Sequence, residues 1–404
     1  MTARLYLFDD RRARRWAPFT FTRPAGELLF GAETLRGRAE RVLGLECHGH
    51  FARTGLIGFD EPDAPPGLAL EALPSDEAAV VLSSRVVLAP QPEPLPERPT
   101  TLTLQGTAVG WVLPAGSPPL SELWLRDPSA APPLADTFEI SGSILEHPWD
   151  LVSKNDDRLV ADGNELAWTE SNPPGLHRIG DGIVSLAEGA TLEPGVHVDL
   201  RDGPIRLEAG ARVEGPARLT GPLWIGPKST VFGGAVGSAS IGPRCLVRGE
   251  VTHAIFLGFV NKAHDGHMGH VLLGRWVNLG AFTTNSDLKN NYKTVRVWTP
   301  DGDVDTGEMK VGAFLGDHVK TGIGTLLNTG TVIGAGSNVF GGVMPPKAVP
   351  PFSWGAGEEL GTHRIEDFLD TAVRVMARRQ QTLTPGVERI LRDAWDATER
   401  RRGE

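Results

Sequence analysis

The chain has little cysteine and no long apolar run, and each scarcity excludes a class of protein. Its 404 residues include only Cys47 and Cys245, so we expect neither a disulfide framework nor a cysteine-based metal site. No stretch approaches the roughly 18 consecutive apolar residues of a membrane span, and the first residues lack the apolar core of a signal peptide. These absences predict a soluble, cytoplasmic protein with no membrane partner.

Positive charge is also scarce and unevenly placed. Lysine and arginine total 40 against 50 acidic residues, for a net charge of -10, and no basic run is long enough to follow a phosphate backbone. Nucleic acid is therefore not expected as a partner. Residues 1–153 contain no lysine, whereas six of the eight lysines lie between 262 and 347 and five of the 11 histidines lie between 253 and 318. The groups suited to catalysis are thus concentrated in the second half.

Apolar residues recur every six positions from about residue 179 onward. A six-residue period fits neither a helix nor an alternating strand, but it is typical of a coil of short strands with inward positions that stack. We therefore predict a parallel β-helix, with a β-sandwich of coincidental spacing as the alternative. The repeating positions are Leu186, Leu192, Val198, Leu207, Val213, Leu219, Ile225, Val231, Leu315, Thr321, Leu327, Ile333 and Val339.

The flanking regions differ in pattern. Strand-like runs at Arg4 to Phe8, Ala79 to Leu82 and Thr101 to Leu104, with a helix near Ala32 to Leu43, predict an α/β domain. The period fails between 282 and 310, where a loop with a hairpin around Asp301 and Gly302 is expected. We predict an α/β domain over 1–147, a linker helix over 148–175, the β-helix over 176–352 and a C-terminal helical segment over 353–404.

Several stretches together resemble one family. They are "LFDD", "PFTFTRPAGEL", "HPWDL", "AHDG", "NLGAFTTNSDLKNNY", "GDHVKTGIGTLLNTGTVIG" and "GGVMPPKAVPPFSWG". They are similar to the GlmU-like sugar nucleotidyltransferases, relatives of the bifunctional UDP-N-acetylglucosamine diphosphorylase and glucosamine-1-phosphate N-acetyltransferase. The resemblance implies a nucleotidyltransferase-like α/β domain, then a left-handed parallel β-helix of hexapeptide repeats, then C-terminal α-helices. It also implies a homotrimer.

The resemblance assigns roles in the β-helix, where "KAHDGHMGHVLLGRWVNLGA" matches the acetyltransferase segment of the bifunctional enzyme. By that match His264 is the general base toward a sugar amine, which suits histidine because its pKa of about 6.5 lies near working pH. Acetyl-CoA is the implied donor and a sugar phosphate the acceptor. Expected substrate-binding residues are Lys262, His267, Asn278, Lys289, Lys293, His318 and Lys320.

Two other interpretations of the histidines remain open. His264, His267 and His270 are equally consistent with exposed corner residues of one coil, and with Asp265 they present oxygen and nitrogen donors for zinc, although the spacing is not that of a known structural site. In our interpretation His264 does chemistry, His267 binds and His270 is incidental.

The first domain departs from the pattern of working nucleotidyltransferases. Such enzymes place a Gly-rich loop after the first strand so that backbone N–H groups approach the nucleotide phosphates, whereas this chain has "DDRRARRWAPFTFTRP". Mg²⁺ would be needed if the domain is active, with Asp156 and Asp157 as candidate ligands. Candidate nucleotide-binding residues are Asp9, Asp10, Arg11, Arg15, Arg23 and Ser84.

Three functions follow as hypotheses. The first is an N-acetyltransferase in the β-helix that makes precursors of the UDP-N-acetylglucosamine type for the cell wall. The second is a sugar-1-phosphate nucleotidyltransferase in the first domain, alone or as half of a bifunctional enzyme. The third is a non-catalytic trimeric scaffold that binds a sugar nucleotide.

Overall fold

The structure is a computed structural model that describes residues 3–132, 134 and 136–399. Residues 400–404 of the predicted C-terminal segment, and residues 1, 2, 133 and 135 of the predicted first domain, lie outside this description. The chain divides into two compact units. We call them the N-terminal unit (within residues 1–28, 33–148 and 382–394) and the β-helix unit (within residues 29–32, 149–381 and 395–404).

Helices lie near residues 32–43 and in the C-terminal segment, as the sequence predicts. The segment after residue 148 forms two helices rather than one, and a short helix at Glu122–Arg126 lies where the sequence predicts none. Pro148 begins the third, since proline is tolerated in the first turn of a helix. Within the described residues the α-helices are α1 (Leu35–Leu43), α2 (Glu122–Arg126), α3 (Pro148–Ser153), α4 (Asn155–Glu165), α5 (Ile365–Ala377) and α6 (Pro385–Ala397).

Most of the strands are short, and the three longest lie next to one another in the middle of the chain, between residues 217 and 256. The strands are β1 (Arg4–Phe8), β2 (Leu29–Phe30), β3 (Glu33–Thr34), β4 (Cys47–Phe51), β5 (Ala79–Ser83), β6 (Val86–Leu88), β7 (Thr100–Leu104), β8 (Thr107–Leu113), β9 (Asp136–Glu139), β10 (Gly142–Ile144), β11 (His177–Ile179), β12 (Val184–Leu186), β13 (Thr191–Leu192), β14 (Val196–Asp199), β15 (Ile205–Leu207), β16 (Arg212–Val213), β17 (Ala217–Ile225), β18 (Thr230–Ile241), β19 (Leu246–Phe256), β20 (Asn261–Lys262), β21 (His267–Leu273), β22 (Asn278–Leu279), β23 (Thr284–Asn285), β24 (Arg296–Thr299), β25 (Gly302–Asp305), β26 (Ala313–Leu315), β27 (Lys320–Thr321), β28 (Leu326–Leu327), β29 (Thr331–Ile333), β30 (Asn338–Phe340), β31 (Ala348–Val349), β32 (Ser353–Ala356) and β33 (Glu359–Thr362).

The N-terminal unit is built on a six-stranded mixed sheet in the order β4-β1-β5-β8-β7-β9. β1 pairs in parallel with both β4 and β5. Its Leu5 and Leu7 pack into one apolar cluster, while Tyr6 and Phe8 pack into another. Because both faces of this strand are covered, it has the continuous apolar run typical of a buried parallel strand. The predicted α/β fold of this part is confirmed.

The β-helix unit is a coil whose strands pair in parallel with strands one turn away. Ile205 pairs with Leu223, and Ala313 pairs with Thr331, which is the same interval in sequence. This interval corresponds to a turn of three six-residue sides, which explains the six-residue period, and the repeating apolar residues line the interior. The predicted parallel β-helix is confirmed, and its three-sided turn fits the left-handed hexapeptide type. The β-sandwich alternative is wrong.

The turns shorten in the middle of the coil. Val231 pairs with Val247, and Val247 pairs with Lys262, so these partners lie closer together in sequence than the partners of a regular turn. The interval between Asn261 and its partner Asn278 is also shorter than the regular one. The six-residue pattern is therefore lost here although the coil continues without a break.

The insertion after residue 282 loops out between two turns. β24 and β25 form the predicted antiparallel hairpin, and β21 then pairs directly with β26. A search of the described part of the chain found no helix long and apolar enough to cross a membrane.

The apolar interior should carry most of the stability of the coil. Leu207 is fully buried in that interior, so we expect Leu207→Ala to lower the free energy of unfolding by about 2–5 kcal/mol. The exposed Ile323 serves as the control, and Ile323→Ala should change it by less than about 0.5 kcal/mol. Urea unfolding followed by circular dichroism measures both. Equal midpoints for the two variants would contradict this view of the core.

Candidate functional site

A corner of the β-helix at residues 263–266 carries the predicted base. β20 leads into this corner and β21 leaves it. Gly266 allows the turn, because its backbone φ is +133° and a Cβ there would lie 2.3 Å from the carbonyl oxygen of Thr283 on the next turn. A side chain at this position is therefore excluded both by conformation and by space.

His264 is exposed on this corner. Its ring makes no hydrogen bond or ion pair within the described residues. Its neighbour Asp265 lies 3.2 Å from the Nε of Arg248, and the carbonyl oxygen of Asp265 accepts a hydrogen bond from the backbone N–H of Phe282 on the next turn. The imidazole is thus exposed on a corner whose backbone is hydrogen-bonded to the next turn of the coil.

Lys262 lies inside the coil rather than facing solvent. It is 1% exposed and pairs with the core residue Val247. Its Nζ donates to the carbonyl oxygens of Arg248, at 2.9 Å, and of His264. The prediction that Lys262 contacts a substrate does not match this inward position.

The predicted acceptor residues Asn278 and Lys320 lie on the side of the coil that leads into the corner. They pair with each other on successive turns, and the Oδ1 of Asn278 accepts a hydrogen bond from Asn261 at 2.7 Å. Burial lowers the pKa of Lys320 to about 8, and its Nζ donates to the carbonyl oxygen of His318.

The side of the coil that leaves the corner holds a cluster of histidines and carboxylates, which we call the histidine cluster: Asp156, Glu250, His253, His267, His270 and Asp287. The Nδ1 of His270 lies 2.7 Å from an Oδ of Asp287, and the Nε2 of His267 lies 4.0 Å from the same oxygen. The Nδ1 of His267 lies 3.3 Å from Glu250. The hydrogen bond from His270 holds the pKa of Asp287 below its usual value.

The backbone sets the geometry of two cluster rings. His253 and His270 occupy equivalent corners of successive turns, both with left-handed φ values, of 49° and 52°. Histidine adopts this region more readily than most residues. The rings therefore stack with centroids 4.5 Å apart and an interplanar angle of 4°. The Nε2 of His253 lies 3.3 Å from Asp156.

Burial shifts the pKa values of Asp156 and His253 in opposite directions. It raises the pKa of Asp156 to about 6 and lowers the pKa of His253 to about 4, since both neutral forms are favoured where water is excluded. Asp156, proposed from sequence as a magnesium ligand, thus sits beside a β-helix histidine, and Asp157 is exposed one residue further on α4.

The other predicted β-helix residues lie outside this cluster. The Nζ of Lys289 donates to the carbonyl oxygen of Thr294 at 2.6 Å, and Lys293 is exposed in the inserted loop. His318 is 4% exposed, and its ring lies 5.7 Å from that of Phe368 in an edge contact. A packed aromatic environment of this kind does not present His318 to a ligand.

No zinc site accompanies the histidines. The residues that the structure describes contain no group of three or more histidine, cysteine, aspartate or glutamate side chains arranged to hold a metal ion. The zinc interpretation of His264, His267, His270 and Asp265 therefore has no support in the geometry.

In the N-terminal unit, the predicted acidic pair is bonded internally. Asp9 is 2% exposed and accepts hydrogen bonds from Ser84, at 2.5 Å, and from the backbone N–H of Ala25. Burial raises the pKa of Asp9. Asp10 accepts from Arg85 at 2.7 Å and from the backbone N–H of Ala13 at 2.9 Å.

The predicted arginines differ among themselves. Arg23 is 1% exposed and pairs with Glu61 at 2.9 Å, whereas Arg11 is exposed and Arg15 is partly buried. A cavity of about 310 Å³ in this unit is lined by residues such as Leu73 and Leu120 and by none of the predicted site residues.

Comparison with known proteins relates the chain to sugar nucleotidyltransferases. Residues 5–169 match the sugar nucleotidyl transferase family model. A bifunctional sugar-1-phosphate nucleotidylyltransferase/acetyltransferase from Sulfurisphaera tokodaii is 30% identical over 95 residues, which make up 24% of this chain and 24% of that protein. These matches fit a GlmU-like protein. The chain spans about a quarter of the length of this curated relative.

Solved structures similar to this chain include two acyltransferases. The UDP-N-acetylglucosamine acyltransferase of Arabidopsis has 14% identity and a TM-score of 0.23, over 52% of this chain and 77% of that one. The UDP-N-acetylglucosamine acyltransferase of Campylobacter jejuni has 13% identity and a TM-score of 0.23, over 55% of this chain and 94% of that one.

Sequence reasoning missed most of the histidine cluster. His253 and Asp287 are absent from the predicted site residues, and His270 is predicted to be incidental. A signal is present, because His253, His270 and Asp287 recur at the same interval that separates Glu250 from His267, which pair across one turn. The regular turn expected from six-residue repeats is slightly longer than this interval, so the repeat did not reveal it.

The shifted pKa values of the cluster predict opposing dependences of stability on pH. Asp156 retains a proton up to about pH 6 when folded but only to about pH 3.8 when unfolded, so its contribution to stability falls as pH rises between these values. His253 is neutral above about pH 4 when folded but charged up to about pH 6.5 when unfolded, so its contribution rises over that range. In the wild type the two slopes oppose each other.

Single substitutions should therefore reveal each slope. We expect the Tm of Asp156→Asn to rise more steeply than that of the wild type from pH 4 to 6.5, and the Tm of His253→Gln to fall relative to the wild type over the same range. Thermal unfolding across this pH range measures both, with His177→Gln as a control because His177 is exposed on β11. Profiles for Asp156→Asn and His253→Gln parallel to the wild type would contradict the prediction.

Proposed function

We propose that the β-helix unit is an N-acetyltransferase, which moves the acetyl group of acetyl-CoA to the amine of an amino sugar 1-phosphate, glucosamine-1-phosphate by analogy. One observation carries the proposal. The imidazole of His264 is exposed and has no partner among the described residues. Its corner lies between the side of the coil that holds Asn278 and the side that holds the histidine cluster. The acetyltransferase half of the Sulfurisphaera tokodaii relative's name supports the same chemistry.

The reaction needs a base for the amine proton and polar groups that hold the sugar phosphate. The sugar amine attacks the thioester carbonyl, the carbon–sulfur bond breaks, and the thiolate leaves while the amine gives up a proton. In the proposal His264 accepts that proton, a role for which its ring is available because no described protein group occupies it. Asn278 and His267 would hold the sugar, and Lys320 and Lys289 or Lys293 the phosphate.

The hydrogen-bonded pair of His270 and Asp287 is the competing base. A carboxylate at 2.7 Å orients the imidazole of His270, and the ring of His264 has no such partner among the described residues. We favour His264 because its ring is exposed, whereas the ring of His270 is partly buried and stacked on that of His253.

Substitution separates the two bases. We expect His264→Ala to lower kcat for acetyl transfer by about 10²- to 10⁴-fold, the usual contribution of a general base, with little change in Tm because His264 is exposed. Release of free thiol from acetyl-CoA in the presence of glucosamine-1-phosphate measures the rate. His177→Ala is the matched control and should keep full activity.

The opposite result assigns the base elsewhere. Full activity in His264→Ala together with a loss of the same size in His270→Ala would make the pair of His270 and Asp287 the base. Full activity in both variants would rule out base catalysis by either histidine.

A second candidate function is sugar-1-phosphate nucleotidyl transfer by the N-terminal unit, favoured by the family match over residues 5–169. Bound Mg²⁺ would neutralise phosphate charge, but Asp9 and Asp10 do not fit it, because their oxygens already accept hydrogen bonds from Ser84, Ala25, Arg85 and Ala13. The exposed Arg11 remains available for a phosphate.

Nucleotide binding tests this candidate directly. If the N-terminal unit binds a nucleotide, UTP or dTTP with Mg²⁺ at 100 times its Kd should stabilise the protein by about 2.7 kcal/mol. A thermal-shift titration measures this, with uridine as the control that lacks phosphates. No shift with any nucleoside triphosphate would count against nucleotidyl transfer, and pyrophosphate release would establish it.

The assembly and setting belong to the same proposal. We infer a homotrimer, as the resemblance implies, that acts in the cytoplasm in the supply of cell-wall precursors. A trimer that binds sugar nucleotides without turnover is the scaffold alternative, and the thiol-release assay separates it from the enzyme.

A further inference from the structure

Lys262 is a charged residue at an inward position that the preceding turns of the coil fill with apolar residues. The inward position one turn earlier is Val247, and the one before that is Val231, both fully buried. Lysine is almost never buried to 1% exposure without a specific role, because removing an ammonium from water is costly.

The ammonium of Lys262 joins two turns of the coil at one corner. It donates to the carbonyl oxygen of Arg248, which precedes the corner of one turn, and to that of His264, in the corner of the next. Hydrogen bonds from a charged donor are about twice as strong as neutral ones. The backbone at His264 is therefore hydrogen-bonded to a side chain that lies inside the coil.

Few other groups offset the cost of removing this ammonium from water. Asp265 is the acid that faces it, and the carboxylate of Asp265 also pairs with Arg248 across the exposed side of the corner. Within the described residues, no carboxylate lies within ion-pair distance of Lys262. Burial lowers the pKa of Lys262 to about 8.

We propose that Lys262 is a positioning residue for acetyl transfer, whose ammonium fixes the corner backbone and thereby the imidazole of His264. This inference rests on the function proposed above. Loss of the proton would weaken both bonds to the carbonyl oxygens, and the corner would loosen. Turnover should therefore decline on the alkaline side, through the titration of a residue that touches neither substrate.

The test uses the full chain and compares Lys262→Arg with Lys262→Met. Arginine stays protonated throughout the accessible pH range, so we expect Lys262→Arg to retain activity and to lose the decline in kcat above about pH 8. We expect Lys262→Met to lower kcat at least tenfold at every pH, with the KM for acetyl-CoA changed less than twofold. Lys228→Met, at an exposed lysine on an earlier turn, should match the wild type.

A second measurement does not depend on activity, and its first part needs only the wild type. Hydrogen exchange of the amides of residues 263–266 in the wild type, corrected for intrinsic rates, should increase across pH 8 by several-fold, while exchange within β18 stays constant. In Lys262→Arg this increase should disappear.

Two results would overturn the inference. One is an alkaline decline that persists unchanged in Lys262→Arg, and the other is exchange at 263–266 that does not respond to pH in the wild type. The wild type could show no acetyl transfer while hydrogen exchange at residues 263–266 still increases across pH 8. In that case the proposed function fails, but the conclusion that Lys262 holds the corner backbone in place is retained.

Discussion

The parallel hydrogen-bonded register between successive turns is the constraint on which the rest of the β-helix unit depends. Each strand takes its position from the strand one turn earlier, so residues one turn apart in sequence form columns along the coil. A column spaces its members by about 4.8 Å. That distance allows apolar side chains to pack in the interior and allows histidine rings to stack on the outside, as His253 and His270 do.

The same register explains why ionisable groups collect along one side of the coil on successive turns. Where the turns are shorter than the regular ones, an inward position is taken by Lys262, and outward corners are taken by histidines in left-handed backbone conformations. The start of the inserted loop then contributes Asp287, which contacts His270 on the same side of the coil. The corner of His264 thus combines a backbone hydrogen-bonded from inside the coil with polar side chains on both sides.

The N-terminal unit shows how burial changes the meaning of a motif. Asp9, Asp10, Arg23 and Ser84 are predicted nucleotide-binding residues, because they stand roughly where the family resembled has its nucleotide-binding motifs. In the structure these four are almost completely buried and bonded to one another or to their neighbours, with Arg23 paired to Glu61. Such networks stabilise a loop when every member is satisfied, and they leave the exposed Arg11 as a polar group of this loop that faces solvent.

The sequence by itself determined the architecture, because periodicity records which side of an element is buried. The six-residue period identified the coil, and the pattern of apolar residues identified the first strands and the last helices. Only the tertiary structure decided the direction in which Lys262 points and the partners of His253, His270, Asp156 and Asp287. These directions and partners depend on turn length, because a shortened turn moves a side chain between the inside and the outside of the coil. The residues next to that side chain in sequence give no sign of the change.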